Sequence, residues 1–227
     1  ERPPTLVDRA CTVEVPERMG PRGEVWRAID LAETARRLDA VAAAAPEAFA
    51  VCLLHAYADD RHERAVAELL RARFPDVPVS LSSEVWPELR EYERAAATAL
   101  SAYVGPVFAT YTAALERELR AVGVTVPLQI MQSSGAVMRV EEAVRRGAYA
   151  IESGPAAGVM AAAHLGRSSG RPDLITFDMG GTTAKAGLVL GGRPRLAPEF
   201  RVGGRASASG GRESGEPIRI PVVDLAE

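Results

Sequence analysis

The 227-residue chain carries 27 basic and 30 acidic side chains, a formal net charge of −3, with 47% apolar and 25% charged residues. Such values describe a folded protein with a sizeable core rather than a disordered one, and charge of both signs spread along the chain excludes the basic face of a nucleic-acid binder. No apolar run approaches 18 residues and the opening ERPPTLVDRA lacks a signal-peptide layout, so no membrane partner is expected and the default location is the cytoplasm.

Residues Arg9 to Val15 alternate in polarity, and Gly20-Pro21-Arg22-Gly23 turns the chain toward VWRAI, which predicts a hairpin or two short strands. Asp30 is placed to cap a helix over 31–45, and AFAVCLLH over 48–55 reads as a continuous apolar strand. Cys52 lies inside that run and is read as a small, inert hydrophobe; with Cys11 it makes too few cysteines for a disulfide framework. Asp59 or Asp60 caps a second helix over 61–73, and a strand over 78–82 follows. The pattern is a βαβ unit with parallel pairing.

The longest helical tract, 86–122, is expected to break once, at Pro106. Leu89, Tyr92, Ala96, Leu100 and Tyr103 share one face before it, and Tyr111 continues a stripe after it. Aromatic residues at this spacing are read as core. A buried strand over 127–133 then ends in the polar turn Ser133-Ser134-Gly135, the kind of strand end where α/β proteins bind ligands. A short helix over 140–146 precedes AIESGPAAGVMAAAHLG, where Ser153 is placed as N-cap and Pro155 at the first helical position. Ser153 and Gly154 make that start either an anion site or the end of a tightly packed Ala-rich helix.

The stretch LITFDMGGTTAKAGLVL, 174–190, reads as two apolar strands joined by a bend of small residues, with Asp178 at the bend. Gly180 and Gly181 suit a tight turn with positive φ and leave no side chain in the way of a phosphate. An ordinary hairpin needs neither an acid closing an apolar strand nor two threonines. Asp178 could hold Mg²⁺ or its water shell, and Thr182 and Thr183 could donate to phosphate oxygens. Strand alternation leaves two directions open for Lys185, toward phosphates or toward solvent. Beyond the hairpin a third strand over 193–202 is expected, then a mobile Gly/Ser/Arg loop, GGRASASGGRESGEP, and an apolar strand IRIPVVDL in which Pro221 marks an edge or a strand start.

Elsewhere, HAYADDRHE gathers His55, Asp59, Asp60, His62 and Glu63, a set that would serve either a metal or a hydrogen-bonded loop and helix cap. Neither a G-x-S-x-G elbow nor a P-loop lysine motif is present.

Five blocks in order, AVCLLHAYADDRHE, VSLSSEVWPELREYERAAATALSAYV, IMQSSGAVM, IESGPAAGV and FDMGGTTAK, resemble the hydantoinase A / 5-oxoprolinase family, including N-methylhydantoinase A and acetone carboxylase β subunits. The resemblance implies an α/β fold of RNase H-like layers, as in actin and Hsp70, with βαβ units and a long broken helical tract. It implies residues 1–130 as part of the N-terminal domain and 131–227 as the start of a second RNase H-like domain. By the same resemblance ATP and Mg²⁺ are the cofactors, and Asp178, Gly180, Gly181, Thr182 and Thr183 face the phosphates and metal. The implied reaction is ATP-dependent phosphorylation of a cyclic amide followed by ring-opening hydrolysis, with a hydantoinase B-like subunit or domain as partner. Ketone carboxylation and a non-catalytic assembly role are the alternatives. The family's first phosphate motif has no counterpart here and many members carry an acid at the position of Lys185. The expectation is therefore a fragment that turns over ATP poorly by itself.

Overall fold

Parallel pairing of Phe49–Val51 with Val79–Leu81 (β3 and β4 below) is the frame of the first half of the chain, and it follows from the apolar runs on either side of one crossover helix. The structure, a computed structural model, describes residues 5–181, 183–205 and 214–226. It divides into two units, one made of 1–115, 144–148 and 201–218, the other of 116–143, 149–200 and 219–227.

In the first unit a hairpin of β1 (Arg18–Met19) and β2 (Val25–Arg27) leads into α1 (Leu31–Ala42), whose first turn is capped where the Asp30 carboxylate accepts the Glu33 N–H at 2.8 Å. The first strand thus starts later than the alternation of 9–15 suggested; that stretch holds a 3₁₀ turn, Arg9–Cys11. β3 (Phe49–Val51), α2 (Arg61–Arg73) and β4 (Val79–Leu81) form the expected βαβ unit. Leu38, Val41, Val51, Val66, Leu70 and Leu81 close its core, each large side chain contributing roughly 1.5–3 kcal/mol of apolar burial. A single turn, α3 (Ser82–Val85), leaves β4.

Helix α4 (Glu91–Ala121) is continuous through Pro106, contrary to the expected break. A proline inside a helix removes one hydrogen bond and costs about 3 kcal/mol. Close packing of small residues offsets that: Ser101, Ala102 and Gly105 are buried, and a Cβ on Gly105 would lie 3.1 Å from the Val144 carbonyl. The aromatic stripe is not core either. Tyr92, Tyr103 and Tyr111 are 60%, 80% and 59% exposed, while Arg94, Ala97, Thr98 and Leu100 are buried. The expected face is split, Ala96 and Leu100 buried and the tyrosines exposed, because the small residues beside it let backbones approach closest.

In the second unit β5 (Gln129–Met131) pairs antiparallel with β6 (Val137–Arg139), followed by α5 (Val140–Arg145) and α6 (Ser153–Ser168). β7 (Leu174–Met179) and β8 (Ala184–Leu190) form the long hairpin. The expected third strand is split into β9 (Arg193–Pro194), β10 (Leu196–Ala197) and β11 (Phe200–Arg205). β11 pairs with β12 (Ser214–Ile218), residues 201–218 belonging to the first unit, so both ends of the Gly/Ser/Arg stretch are strand; its middle, where mobility was expected, lies outside the described residues. β13 (Val222–Val223) pairs with β10 and β14 (Leu225–Ala226) with β8. One face of the β14-β8-β7 sheet is covered by α6 through Ala156, Val159, Ala163 and Val189. The other face of β7 shows Ile175, Phe177 and Met179, each about 70% exposed or more at 76%, 69% and 72%.

Among the described residues no helix is long and apolar enough to cross a membrane.

Candidate functional site

Side-chain alternation decides which way Asp178 faces. On β7, Leu174 packs into the core beneath α6 and Thr176 lies on the same side, while Ile175, Phe177 and Met179 point away. Asp178 therefore emerges on the α6 side. Its cross-strand partner is Lys185, and opposed residues share a face. The Lys185 ammonium pairs with the carboxylate of Glu152, the residue just before α6, on the face it shares with Asp178.

Three contacts fix the direction of α6 along β8. Glu152 meets Lys185, Val159 lies against Gly187, and Arg167 lies against Gly192. The helix start therefore sits at the bend end of the hairpin. Gly187 permits this closeness, since an added Cβ would lie 2.7 Å from a Val159 methyl and 2.8 Å from Thr176 Oγ1. The Thr176 hydroxyl is itself bonded to Gly187, accepting its N–H at 3.1 Å and approaching its carbonyl at 3.2 Å.

The cap of α6 differs from expectation. Helical geometry begins at Ser153, so Glu152 is the N-cap, with φ 62° and no capping side-chain bond. Pro155 is accordingly the third helical residue, not the first. A left-handed non-glycine residue costs about 1–2 kcal/mol, and here it turns the chain sharply into the helix. Ser153 and Gly154 thus occupy the first turn, whose amides lack intrahelical acceptors and form the positive end of the helix dipole. A Cβ on Gly154 would meet nothing within 4 Å.

The hairpin bend is open. Gly180 N–H donates to the Thr183 carbonyl at 2.9 Å, closing the turn, while a Cβ on Gly181 would meet nothing within 4 Å. Neither glycine adopts the positive φ expected of it; what they provide is access rather than an unusual torsion. Thr182 lies outside the described residues.

Sequence reasoning missed the part played by Ser133. Instead of facing a ligand, its hydroxyl donates to the carbonyls of Tyr149, at 2.7 Å, and Ile151, its N–H bonds Tyr149, and its carbonyl accepts from Val223. It anchors the segment that delivers Glu152 and Ser153. Gly135, at φ 82°, then lies against Met160 of α6, 2.6 Å from where its Cβ would be. A buried serine after an apolar strand carries no sequence signal that separates anchoring from binding.

In HAYADDRHE the polar groups are engaged within the protein. His62 Nδ1 meets Glu17 at 2.7 Å, Asp59 holds Arg61, Asp60 holds Arg64, and His55 Nδ1 meets the Tyr57 hydroxyl at 3.1 Å. This is the hydrogen-bonded loop alternative; the Asp59 carboxylate, bonded to the Arg61 N–H and guanidinium, is held below the usual carboxylate range. Among the described residues no group of three His, Cys, Asp or Glu is arranged to hold a metal. Among the described residues of the hairpin the one carboxylate, that of Asp178, is exposed. One or two carboxylates plus phosphate oxygens suit Mg²⁺, which keeps much of its water, so the residues fit a metal that arrives with a nucleotide.

An α/β unit thus presents an acid, a lysine and an uncapped helix start beside a glycine bend. The chain belongs to the hydantoinase/oxoprolinase family: the Hydantoinase/oxoprolinase model matches residues 94–227 and the Hydantoinase/oxoprolinase N-terminal region matches residues 3–74. An uncharacterized protein of Methanocaldococcus jannaschii is 35% identical over 230 residues, 100% of this chain and 34% of that protein. The caprolactamase subunit alpha of Pseudomonas jessenii is 31% identical over 162 residues, 69% of this chain and 23% of that subunit. The crystal structure of ATP-dependent caprolactamase from the same organism superposes with a TM-score of 0.80 at 27% identity, covering 98% of this chain and 30% of that one. Nucleotide-free acetone carboxylase superposes at 0.82 and 23% identity, over 99% and 30%. The chain thus spans about a third or less of these relatives, and its fold is the α/β, ATPase-like fold of these enzymes.

Proposed function

We propose that this chain supplies part of the phosphate-binding cleft of an ATP-dependent enzyme that opens a cyclic amide. The observation that carries the reading is the convergence, on one face of an open bend, of Asp178, Lys185 and the uncapped amides of Ser153 and Gly154. In this reading Gly180, Gly181, Thr182 and Thr183 flank the phosphates. Asp178 holds Mg²⁺ directly or through water, and Ser153 and Gly154 donate to phosphate oxygens. Lys185 exchanges its Glu152 partner for the nucleotide.

Positioning and charge stabilisation are what phosphoryl transfer asks of a protein. Bound ATP would supply the γ-phosphoryl group, transferred to the amide carbonyl oxygen as ADP leaves; water would then attack the activated carbon, the C–N bond would open to leave an acyl phosphate, and a second water would release the carboxylate and inorganic phosphate. An unactivated amide is a poor electrophile, so ATP cleavage provides the driving force. The lactam-opening activity named for the caprolactamase supports this class, and its designation as a subunit supports a second, hydantoinase B-like chain as partner.

The test is phosphate release by the complete protein with its partner subunit, on a panel of hydantoins, 5-oxoproline, caprolactam and ketones. Release dependent on a cyclic amide and lost in Asp178→Asn is the expected result. Release with a ketone and bicarbonate only would assign carboxylation instead. No nucleotide binding at all would leave an assembly role.

A further inference from the structure

Among the described residues of the second unit Glu152 alone, glycines aside, has a positive φ, 62° with ψ 15°. That conformation is unfavourable for a residue with a Cβ and persists where its neighbours impose it. Here both neighbours are fixed. On one side the Ile151 carbonyl accepts the buried Ser133 hydroxyl. On the other the Glu152 carbonyl accepts the Ala156 N–H at 3.3 Å as α6 begins, and Ala156 is buried in the core of the unit.

The turn does not serve to cap the helix. An N-cap side chain ordinarily accepts a free amide of the first turn, and the Glu152 carboxylate accepts none. The turn carries it to Lys185 on β8 instead. The two partners differ in freedom, the lysine side chain being shielded and the glutamate partly exposed. The carboxylate is therefore the partner with a way out to solvent, while the ammonium stays on the face it shares with Asp178.

An anion arriving at the hairpin thus meets an ammonium already neutralised by a carboxylate of the same chain, held at high effective concentration. It binds Lys185 only in the fraction of molecules whose Glu152 is away, and its apparent affinity falls by that fraction. The reduction is the same for every anion that needs Lys185. It excludes first those that bind weakly, such as a single phosphate, and leaves a polyphosphate with further contacts able to bind.

We propose that Glu152 is an autoinhibitory latch: its carboxylate occupies Lys185 as an internal substitute for phosphate and swings out to solvent when a polyphosphate displaces it. The latch rests on the reading that Lys185 meets the nucleotide phosphates, and adds how that contact is regulated. The left-handed turn at Glu152 is what aims the carboxylate across to β8 rather than back at the amides of its own helix.

Calorimetric titration of the complete protein with magnesium pyrophosphate, arranged as a double-mutant cycle, tests the latch. Glu152→Gly removes the carboxylate, and glycine accepts φ 62° without strain, so the turn is kept; Glu152→Gln, of the same length, is the second variant. Both are expected to tighten pyrophosphate binding, Glu152→Gly by about ten-fold. In a Lys185→Met background the same substitutions are expected to change it by less than about two-fold, there being no ammonium to contest. Equal tightening in both backgrounds overturns the latch, because it reports only the removal of a nearby negative charge. No tightening in either variant overturns it as well. Lys185→Met alone separates the two levels. A loss of binding there, with no gain from the Glu152 substitutions, leaves the phosphate contact standing without the latch; no loss removes contact and latch together.

Discussion

Lys185 and Glu152 form an ion pair that ties the outgoing strand of the hairpin to the residue that starts α6. The lysine side chain is only 13% exposed and the glutamate 40%, so the pair is a shielded charge beside the acid of the bend. If Lys185 serves incoming phosphate, the two partners are not equivalent. Lys185→Met should weaken Mg-ATP binding by the complete protein about ten-fold, the loss of one charge-assisted contact, whereas Glu152→Gln should leave it equal or tighter. Calorimetric titration of both variants checks this; equal losses would mark the pair as a strut.

Glycine substitutions should separate packing from access. Gly187→Ala forces a methyl against Val159 and Thr176, an overpacking cost of about 1–3 kcal/mol, and should lower Tm. Gly154→Ala meets open space and should be neutral or mildly stabilising, alanine being the better helix former by up to about 1 kcal/mol. If phosphate approaches the α6 start, Gly154→Ala should nonetheless weaken nucleotide binding. A stable variant with unaltered affinity would remove Gly154 from the site.

Arg94 should prove essential to folding of the first unit. Replacing it with methionine leaves Ser82 Oγ and the Leu53 and Glu88 carbonyls without their charged donor, and losing buried hydrogen bonds to a charged group costs about 1.5–3 kcal/mol each. Urea denaturation of Arg94→Met should show a loss of that order. A loss below 1 kcal/mol, on the scale of a surface pair, would contradict it.

The two cysteines should react at different rates. Burial pushes the Cys52 thiol above its ordinary value of 9.0, the nearby Arg94 charge offsetting only part of this, while Cys11 is exposed. The thiolate is the reactive form, so at pH 8 a disulfide reagent should modify one thiol quickly and the second only as the protein unfolds. The raised value also has a sign for stability. The contribution is fully present below the unfolded thiol's pKa and is lost as pH rises through the higher folded one. Cys52→Ser should therefore flatten the alkaline limb of a Tm against pH profile.

Much of this architecture was legible in the residues. Asp30 capped its helix, the runs around 49–51 and 79–81 paired in parallel, and FDMGGTTAK opened a hairpin, because local apolar content and turn chemistry agreed with the tertiary outcome. What sequence could not give was direction. The stripe of Tyr92, Tyr103 and Tyr111 has the right period, but the closest packing came from Ala97, Ser101, Ala102 and Gly105 further round the helix. Ser153 looked like a cap because caps are judged by residue type, whereas the left-handed turn at Glu152 depends on where Ser133 and Lys185 hold the chain. Glu63 and Arg94 are 31 positions apart in sequence, and no pattern along the chain brings them to one serine, Ser82.

The uncovered row on β7 has a mechanical corollary. Phe177 and Met179 are joined to Asp178 by one peptide plane on either side, so the apolar row and the carboxylate share a ribbon too short to bend independently. Any body that settles against those two side chains takes hold of the acid from behind and sets its aim.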